Sequence, residues 1–261
     1  MLPFFASYAF LIGCSVLSVA LAVAGVLFVR SFTSHETLKS HHGVAGPFLS
    51  ITATIFAVVL GFIVVDSLNT FQRARLIVEQ EANAIHDIFH MSSALSEPTR
   101  SNMREACMNY ADAMVQFEWP AMEQGAGSPE GHLLFTRMWH YLTTYKPADA
   151  SETTFLSQIL DSMRTAGDCR HSRLLAAQPY YSPVLWLVLL LGSAITIIFT
   201  YFFGVENVRV QILMTALVTI VLSLNLSVVA LFDTPFTGDV KVPPQAFVVD
   251  LNYFKMEMPA Q

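Results

Sequence analysis

Charged side chains are scarce in this chain. Lys and Arg number 14 and Asp and Glu 20, 13% of 261 residues, against roughly 25% in an ordinary soluble domain. Cysteine is scarce as well. Cys14, Cys107 and Cys169 are spread along the chain with no Cys-x-x-Cys pair. Basic charge is lacking: a net charge of −6 and a pI near 5.7 leave no surface for nucleic acid. There is no Ser/His/Asp signature, no His-Glu-x-x-His and no phosphate-cradling Gly loop. No catalytic residue, cofactor or metal ligand set is therefore expected, and the chain does not read as an enzyme.

Long apolar runs are present instead, and the mean hydropathy is +0.50. Pro3 to Val29, Pro47 to Val65, Leu174 to Val205 and Val210 to Phe232 each lack any charge. About 18 such residues cross a bilayer as a helix, and backbone groups in hydrocarbon must be satisfied within the segment. Four runs exclude a soluble enzyme, a secreted disulfide scaffold and a disordered chain. The first lacks a basic n-region and exceeds a signal-peptide core, so it reads as a retained span. Its Gly13, Ser15, Ser18, Ala20, Ala22, Ala24 and Gly25 allow close helix approach. In the third run, Pro179 and Pro183 separate a polar helix ending near Ala177 from a span beginning near Val184. Tyr180, Tyr181, Trp186, Tyr201 and Phe203 mark its interfaces.

The expected architecture is all-α and polytopic. Residues 1–68 hold the first two transmembrane helices, joined by a short loop from Arg30 to Gly46. A helical extramembrane domain, 69–182, is inserted between the second and third helices. Residues 183–232 hold the third and fourth, joined by a turn at Gly204 to Val208, and 233–261 form a C-terminal tail. This predicts a multi-pass protein of the cell (inner) membrane that contacts lipid. The short loops carry Arg30, Lys39 and Arg209 against Glu36 and Glu206, which favours those loops inside and the central domain outside. Arg73, Arg75, Arg170 and Arg173, near the membrane on the opposite side, argue for the reverse orientation.

The central region carries 9 Lys or Arg and 13 Asp or Glu between Asn69 and Ser182, with no alternating strand pattern. The second span runs on without Gly or Pro, predicting one helix from Phe48 to Ser93. Ser96, Ser128 and Ser151 read as caps of three further helices. Met103, Cys107, Tyr110, Met114 and Phe117 form an amphipathic stripe on the first, ended by Trp119-Pro120. The second carries Leu134, Met138, Tyr141, Leu142 and Tyr145, and the third turns Phe155, Ile159 and Met163 inward. If the region is extracytoplasmic, Cys107 and Cys169 would be able to pair, although their spacing does not require it.

Two histidine groups stand out. His86 and His90 are four apart on the long helix, as two metal ligands would be, near Glu79, Glu81 and Asp87; a solvated helix face is the reading adopted. His35, His41 and His42 with Glu36 crowd the first loop, either as a pH-sensitive group or as an ordinary polar turn.

The second span is more informative. At roughly 100° per residue, Thr52, Ile55, Val59, Phe62, Asp66, Asn69, Thr70 and Arg73 share one face. In an oligomer this stripe would line a pore with an apolar neck between polar and charged rings; within one chain it would be a packing surface. Asp66, an ionisable group at the edge of a span, is a functional candidate. Thr215, Thr219 and Ser223 make a secondary polar face on the fourth span, near Asn225, and Thr196 and Thr200 a similar row on the third.

Several stretches resemble a known family together. They are His41 to Gly46, Ile55 to Val65, Val78 to Ala84, Glu118-Trp119-Pro120, Leu213 to Leu217, and Asp233-Thr234-Pro235-Phe236-Thr237-Gly238-Asp239. The series, with a match covering roughly Ala45 to Pro244, resembles the bacterial bestrophin-like domain family. That resemblance implies a distant relation to bestrophins, which are pentameric anion channels gated by calcium. No run of acidic residues here looks like a bestrophin calcium clasp, whereas Ile55, Val59 and Phe62 match the apolar neck those channels carry on the second helix.

The reading that follows is a homo-oligomeric ion channel or pore-like transport protein. Its second helices surround the axis, with Asp66, Asn69 and Arg73 at the mouth. Arg73 favours anions and Asp66 cations. The rival reading is a non-conducting membrane scaffold or sensor whose helical domain binds a partner.

Overall fold

The structure, a computed structural model, describes residues 7–32, 35–202, 205 and 207–258, with the backbone course alone for 35–46, 48 and 49. Among the described residues there are helices and no strands. The chain divides into two compact units, Met1–Thr70 with Pro179–Asp233, and Phe71–Gln178 with Thr234–Gln261.

The first unit contains α1 (Tyr8–Phe32), the part of α2 (His35–Met91) up to Thr70, α7 (Pro183–Tyr201) and α8 (Val208–Phe232). Each of these helices is long and apolar enough to cross a membrane. Apolar side chains such as Ile12, Phe28, Leu191 and Leu217 stay exposed on their outer faces, which suits lipid tails rather than water. Where helices meet, Phe56 and Leu60 of α2 pack with Leu189 of α7 and Val229 of α8. Gly192 makes that approach possible: a Cβ there would lie 2.3 Å from the Phe56 ring.

The second helix begins at His35, not Phe48. A proline inside a helix lacks the N–H of one backbone bond and crowds the carbonyl four residues back, so Pro47 reads locally as a start. Here the helix runs through it, as membrane helices tolerate. The expected 30–46 loop is therefore mostly helix. The histidine group at 35, 41 and 42, with Glu36 and Lys39, has side chains outside the described residues, and Phe203, Gly204 and Glu206 of the second short connection lie wholly outside them.

The second unit contains the rest of α2, a single 3-10 turn at Ser92–Ala94, α3 (Thr99–Ala113), a π turn at Met114–Glu118, α4 (Trp119–Met122), α5 (Pro129–Thr144), α6 (Ala150–Ala176) and α9 (Gln245–Glu257). Its core joins Ile85 and Phe89 of α2 to Met103 and Tyr110 of α3, Met138 of α5, Met163 of α6 and Phe254 of α9. Residues after 233, patterned as a tail, thus include a helix that buries Phe247, Leu251 and Phe254. Ile159 and Met163 point inward as expected, Phe155 only in part. Cys107 and Cys169 are free thiols.

Two expected caps shift. Ser128 caps α5 through a 2.9 Å bond from the Gly131 N–H, but α6 is capped by Asp149, whose Oδ1 accepts the Glu152 N–H at 2.8 Å, not by Ser151. A carboxylate is the better partner for the positive end of a helix. Ser96 does not cap α3 with its side chain; its hydroxyl donates to Glu152 instead. The stripe on α3 also breaks at its end. Met103, Cys107, Tyr110 and Met114 are buried while Phe117 is exposed. The π turn takes more residues per turn than an α-helix, rotating Phe117 outward and bringing Glu118 onto the buried face. Trp119-Pro120 opens α4 rather than ending the helix, because Pro120 lies in the first turn, where its missing N–H costs least.

Candidate functional site

Within the first unit, α2 turns Phe56, Leu60 and Ser67 inward, and all three are buried. The stripe predicted from periodicity lies beside that face, roughly a third of a turn away. Ile55, Val59 and Phe62 are 62%, 38% and 72% exposed, so none packs fully against its own chain. Thr52 is half-buried and Asn69 is exposed; Arg73, further along the same helix, is exposed as well.

Asp66 is drawn toward the buried side. The Tyr181 hydroxyl lies 3.1 Å from its Oδ2 and 3.2 Å from the Ile63 carbonyl, and Ser67 donates to that hydroxyl at 2.9 Å. Its partner is thus Tyr181, preceding α7. Asp233, just past α8, accepts the backbone N–H groups of Tyr180 and Tyr181 at 3.0 and 2.8 Å and the Trp186 indole at 3.3 Å. Burial pushes its carboxyl up from the usual range, against those three donors. The aromatics predicted to mark an interface therefore also position two carboxylates.

The secondary polar face divides. Thr215 and Thr219 are buried, with the Thr215 hydroxyl 3.0 Å from that of Thr200 across α7 and α8 and the Thr219 hydroxyl donating back to the Thr215 carbonyl. Ser223 bonds the Ile220 carbonyl of its own helix. At Thr215 the row ties helices together through a hydrogen bond.

The second unit holds a polar centre that was not among the candidate sites. Arg173 of α6 grips both oxygens of Glu81 of α2, and the Tyr110 hydroxyl of α3 donates to Glu81 at 2.7 Å. Glu118 accepts from Arg170 at 2.9 Å and from the Ser128 N–H at 2.9 Å. The Arg173 guanidinium lies 5.0 Å from the Trp119 ring centre. Burial pushes the Tyr110 hydroxyl well up, so it remains a donor. A buried charge must be paired and hydrogen-bonded, and here every carboxylate is. The arrangement is closed to solvent and joins α2, α3, the π turn and α6. A signal existed: Glu81, Arg170 and Arg173 fall on otherwise apolar helix faces. Arg170 and Arg173, counted above as juxtamembrane cations, are committed to these pairs.

Elsewhere in this unit, α2 and the segment leading into α9 bound a groove of ≈ 580 Å³ lined by Phe71, Arg75, Val78, Lys241 and Val249 among others.

No curated protein matches the chain. Among solved structures, a single-substitution variant of a bacterial Bestrophin homolog from Klebsiella pneumoniae is similar over 95% of this chain and 99% of its own. The identity is 15% and the TM-score 0.67. A second structure of that homolog covers 93% of this chain and 97% of its own, again at 15% identity and a TM-score of 0.67. A crystal structure described as a membrane protein variant covers 95% and 99%, also at 15% and 0.67. At such identities the likeness is one of fold. The family profile described as the Bestrophin-like domain matches residues 16–247. With most of its length so matched, and with four membrane-length helices and an α-helical second unit, the chain belongs to the Bestrophin-like domain family.

Proposed function

We propose that the chain is a subunit of a homo-oligomeric ion channel or pore-like transport protein, with α2 lining the axis. The neck is Ile55, Val59 and Phe62, and Asp66, Asn69 and Arg73 set the charge at its mouth. One observation carries the reading: among the apolar side chains that α2 leaves exposed, Ile55, Val59 and Phe62 share their helix face with the half-buried carboxylate of Asp66 and with Asn69, a polar continuation that a purely lipid-facing row would lack. Apolar side chains meeting across an axis form a constriction that resists hydration, while flanking polar rings attract ions. Family membership supports the same class.

The test is conductance in a planar bilayer. Reconstituted protein passes current, and Phe62→Ala, which widens and wets the neck, raises it. If purified protein passes none and Phe62→Ala changes nothing, the channel reading is wrong, and the exposed row is a subunit interface of a non-conducting scaffold.

A further inference from the structure

His86 and His90, one turn apart on α2, bring their Nε2 atoms to 3.1 Å from each other. The other ring nitrogen of His86, Nδ1, lies 3.1 Å from Oδ1 of Asp250 on α9. With Asp250 ionised, that contact assigns the proton of His86 to Nδ1 and leaves the lone pair on Nε2, so His90 Nε2–H is the donor in the 3.1 Å histidine pair. The imidazoles are held in place. His86 lies against the rings of Tyr253 and Phe254, and His90 lies against Tyr253, with centroids 5.1, 5.9 and 5.3 Å apart. Tyr253 is itself anchored, its hydroxyl donating to Glu257 at 2.9 Å. Asp250 is 9% exposed, and its second oxygen, Oδ2, is buried without a hydrogen-bond partner.

We propose that His86 and His90 form a binding site for zinc or a similar first-row divalent cation, with Asp250 as the carboxylate that orients His86. Two imidazole nitrogens on one tetrahedral zinc, each about 2.0–2.1 Å from it, lie roughly 3.3 Å apart. The 3.1 Å separation is therefore nearly the ligating one; a bound cation takes the place of the proton shared between the two Nε2 atoms, and His90 then carries its proton on Nδ1. A ligating histidine that donates its other N–H to a carboxylate is the usual support of such a centre, because it fixes the tautomer and raises the basicity of the ring. Imidazole suits zinc, copper and nickel, whereas magnesium requires oxygen donors. Among the described residues no set of three or more His, Cys, Asp or Glu converges on one point. The protein thus supplies two nitrogens, and water completes the coordination on the exposed side, where His90 lies open. The site uses α2 and α9 of the second unit and does not depend on the channel reading.

The experiment titrates the full-length, tag-free protein in detergent with zinc chloride, by calorimetry, at neutral pH. His86→Gln and His90→Gln each lose one zinc equivalent relative to the parent. Asp250→Asn keeps the equivalent but binds it at least about tenfold more weakly. Zinc raises the thermal midpoint of the parent and not of His90→Gln. Other histidines of the chain add the same background to every protein, so the difference reports this site. His90 is exposed, and an unchanged metal-free thermal midpoint in His90→Gln shows that its fold is intact. The proposal is overturned if both His→Gln variants retain the parent's zinc stoichiometry, or if magnesium binds as zinc does. In that event the pair is a histidine–histidine hydrogen bond only.

Discussion

Glu81 and Arg173 are joined through both oxygens of the one and two nitrogens of the other, at 2.7 and 2.9 Å, and neither side chain has any solvent exposure. Arg173 also directs Nη1 at the Met122 sulfur, at 2.7 Å, and Nη2 at the Met114 sulfur, at 3.3 Å. Removing the guanidinium leaves a buried carboxylate unpaired, which is worth about 3–5 kcal/mol. Arg173→Met should therefore unfold the protein at a much lower temperature in detergent. The paired change Glu81→Met with Arg173→Met removes both charges and should restore much of the loss. Equal midpoints for the single and double variants would contradict this account.

Gly131 sits where a side chain would meet the same network. A Cβ at this position would lie 2.6 Å from Oε2 of Glu118 and 2.8 Å from the Met114 methyl group. Glu118 is held by Arg170 and by the Ser128 N–H, so it cannot swing away without losing those bonds. Gly131→Ala should cost about 1–3 kcal/mol of stability. Gly61→Ala, also helical but with open space around its Cβ, should be neutral or slightly stabilising. Thermal denaturation of the two variants side by side makes the comparison.

In the membrane unit, Gly192 and Phe56 occupy one space. Gly192→Ala places a methyl group within 2.3 Å of the ring and should destabilise by about 1–3 kcal/mol. Trimming the ring with Phe56→Leu should recover part of that loss in the double variant, a coupling readable in a mutant cycle of unfolding midpoints. Simple additivity of the two effects would show that the contact does not limit the helix approach.

Glu152 gives a pH signature. The backbone N–H of Ala148, at 2.7 Å, and the hydroxyls of Ser96 and Tyr145 hold its carboxyl at about 2, below the ordinary 4.5. A carboxyl lowered on folding contributes stability that is complete above its unfolded value and disappears as pH falls toward the folded one. Melting temperatures should thus fall between about pH 4.5 and pH 2, and the fall should be shallower in Glu152→Gln. An identical pH profile in the variant would remove Glu152 from this role.

If α2 lines a pore, charge at its mouth governs selectivity. Under a salt gradient, Asp66→Asn should move the reversal potential toward that of the anion, and Arg73→Gln toward that of the cation. Tyr181→Phe, which frees Asp66 from its hydroxyl partner, should act opposite to Asp66→Asn. Reversal potentials unmoved by all three would take these residues out of the conduction path.

The membrane helices were legible because transfer into hydrocarbon is decided locally, residue by residue, along a run. α7 and α8 begin within a few residues of where prolines and charge placed them, at Pro183 and Val208. The stripe on α2 was legible as a direction on a helix, though not as a surface. Phe62 stands exposed while Phe56, six residues earlier, is buried, and only packing against α7 and α8 separates them. The start of α2 was not legible, because Pro47 and the preceding glycines carry local signals to stop that the helix overrides. Phe117 misled because a π turn changes the period on which the pattern rests.

What the sequence by itself determined is the class: scarce charge and four apolar runs admit only an α-helical membrane protein. What only the tertiary structure decided is which polar groups meet. Glu81 and Arg173 are 92 positions apart, His86 and Asp250 164, and Asp66 and Tyr181 115. Periodicity reports neighbours within a turn or two of helix, whereas these pairs are selected by helix packing and by the need to satisfy every buried charge.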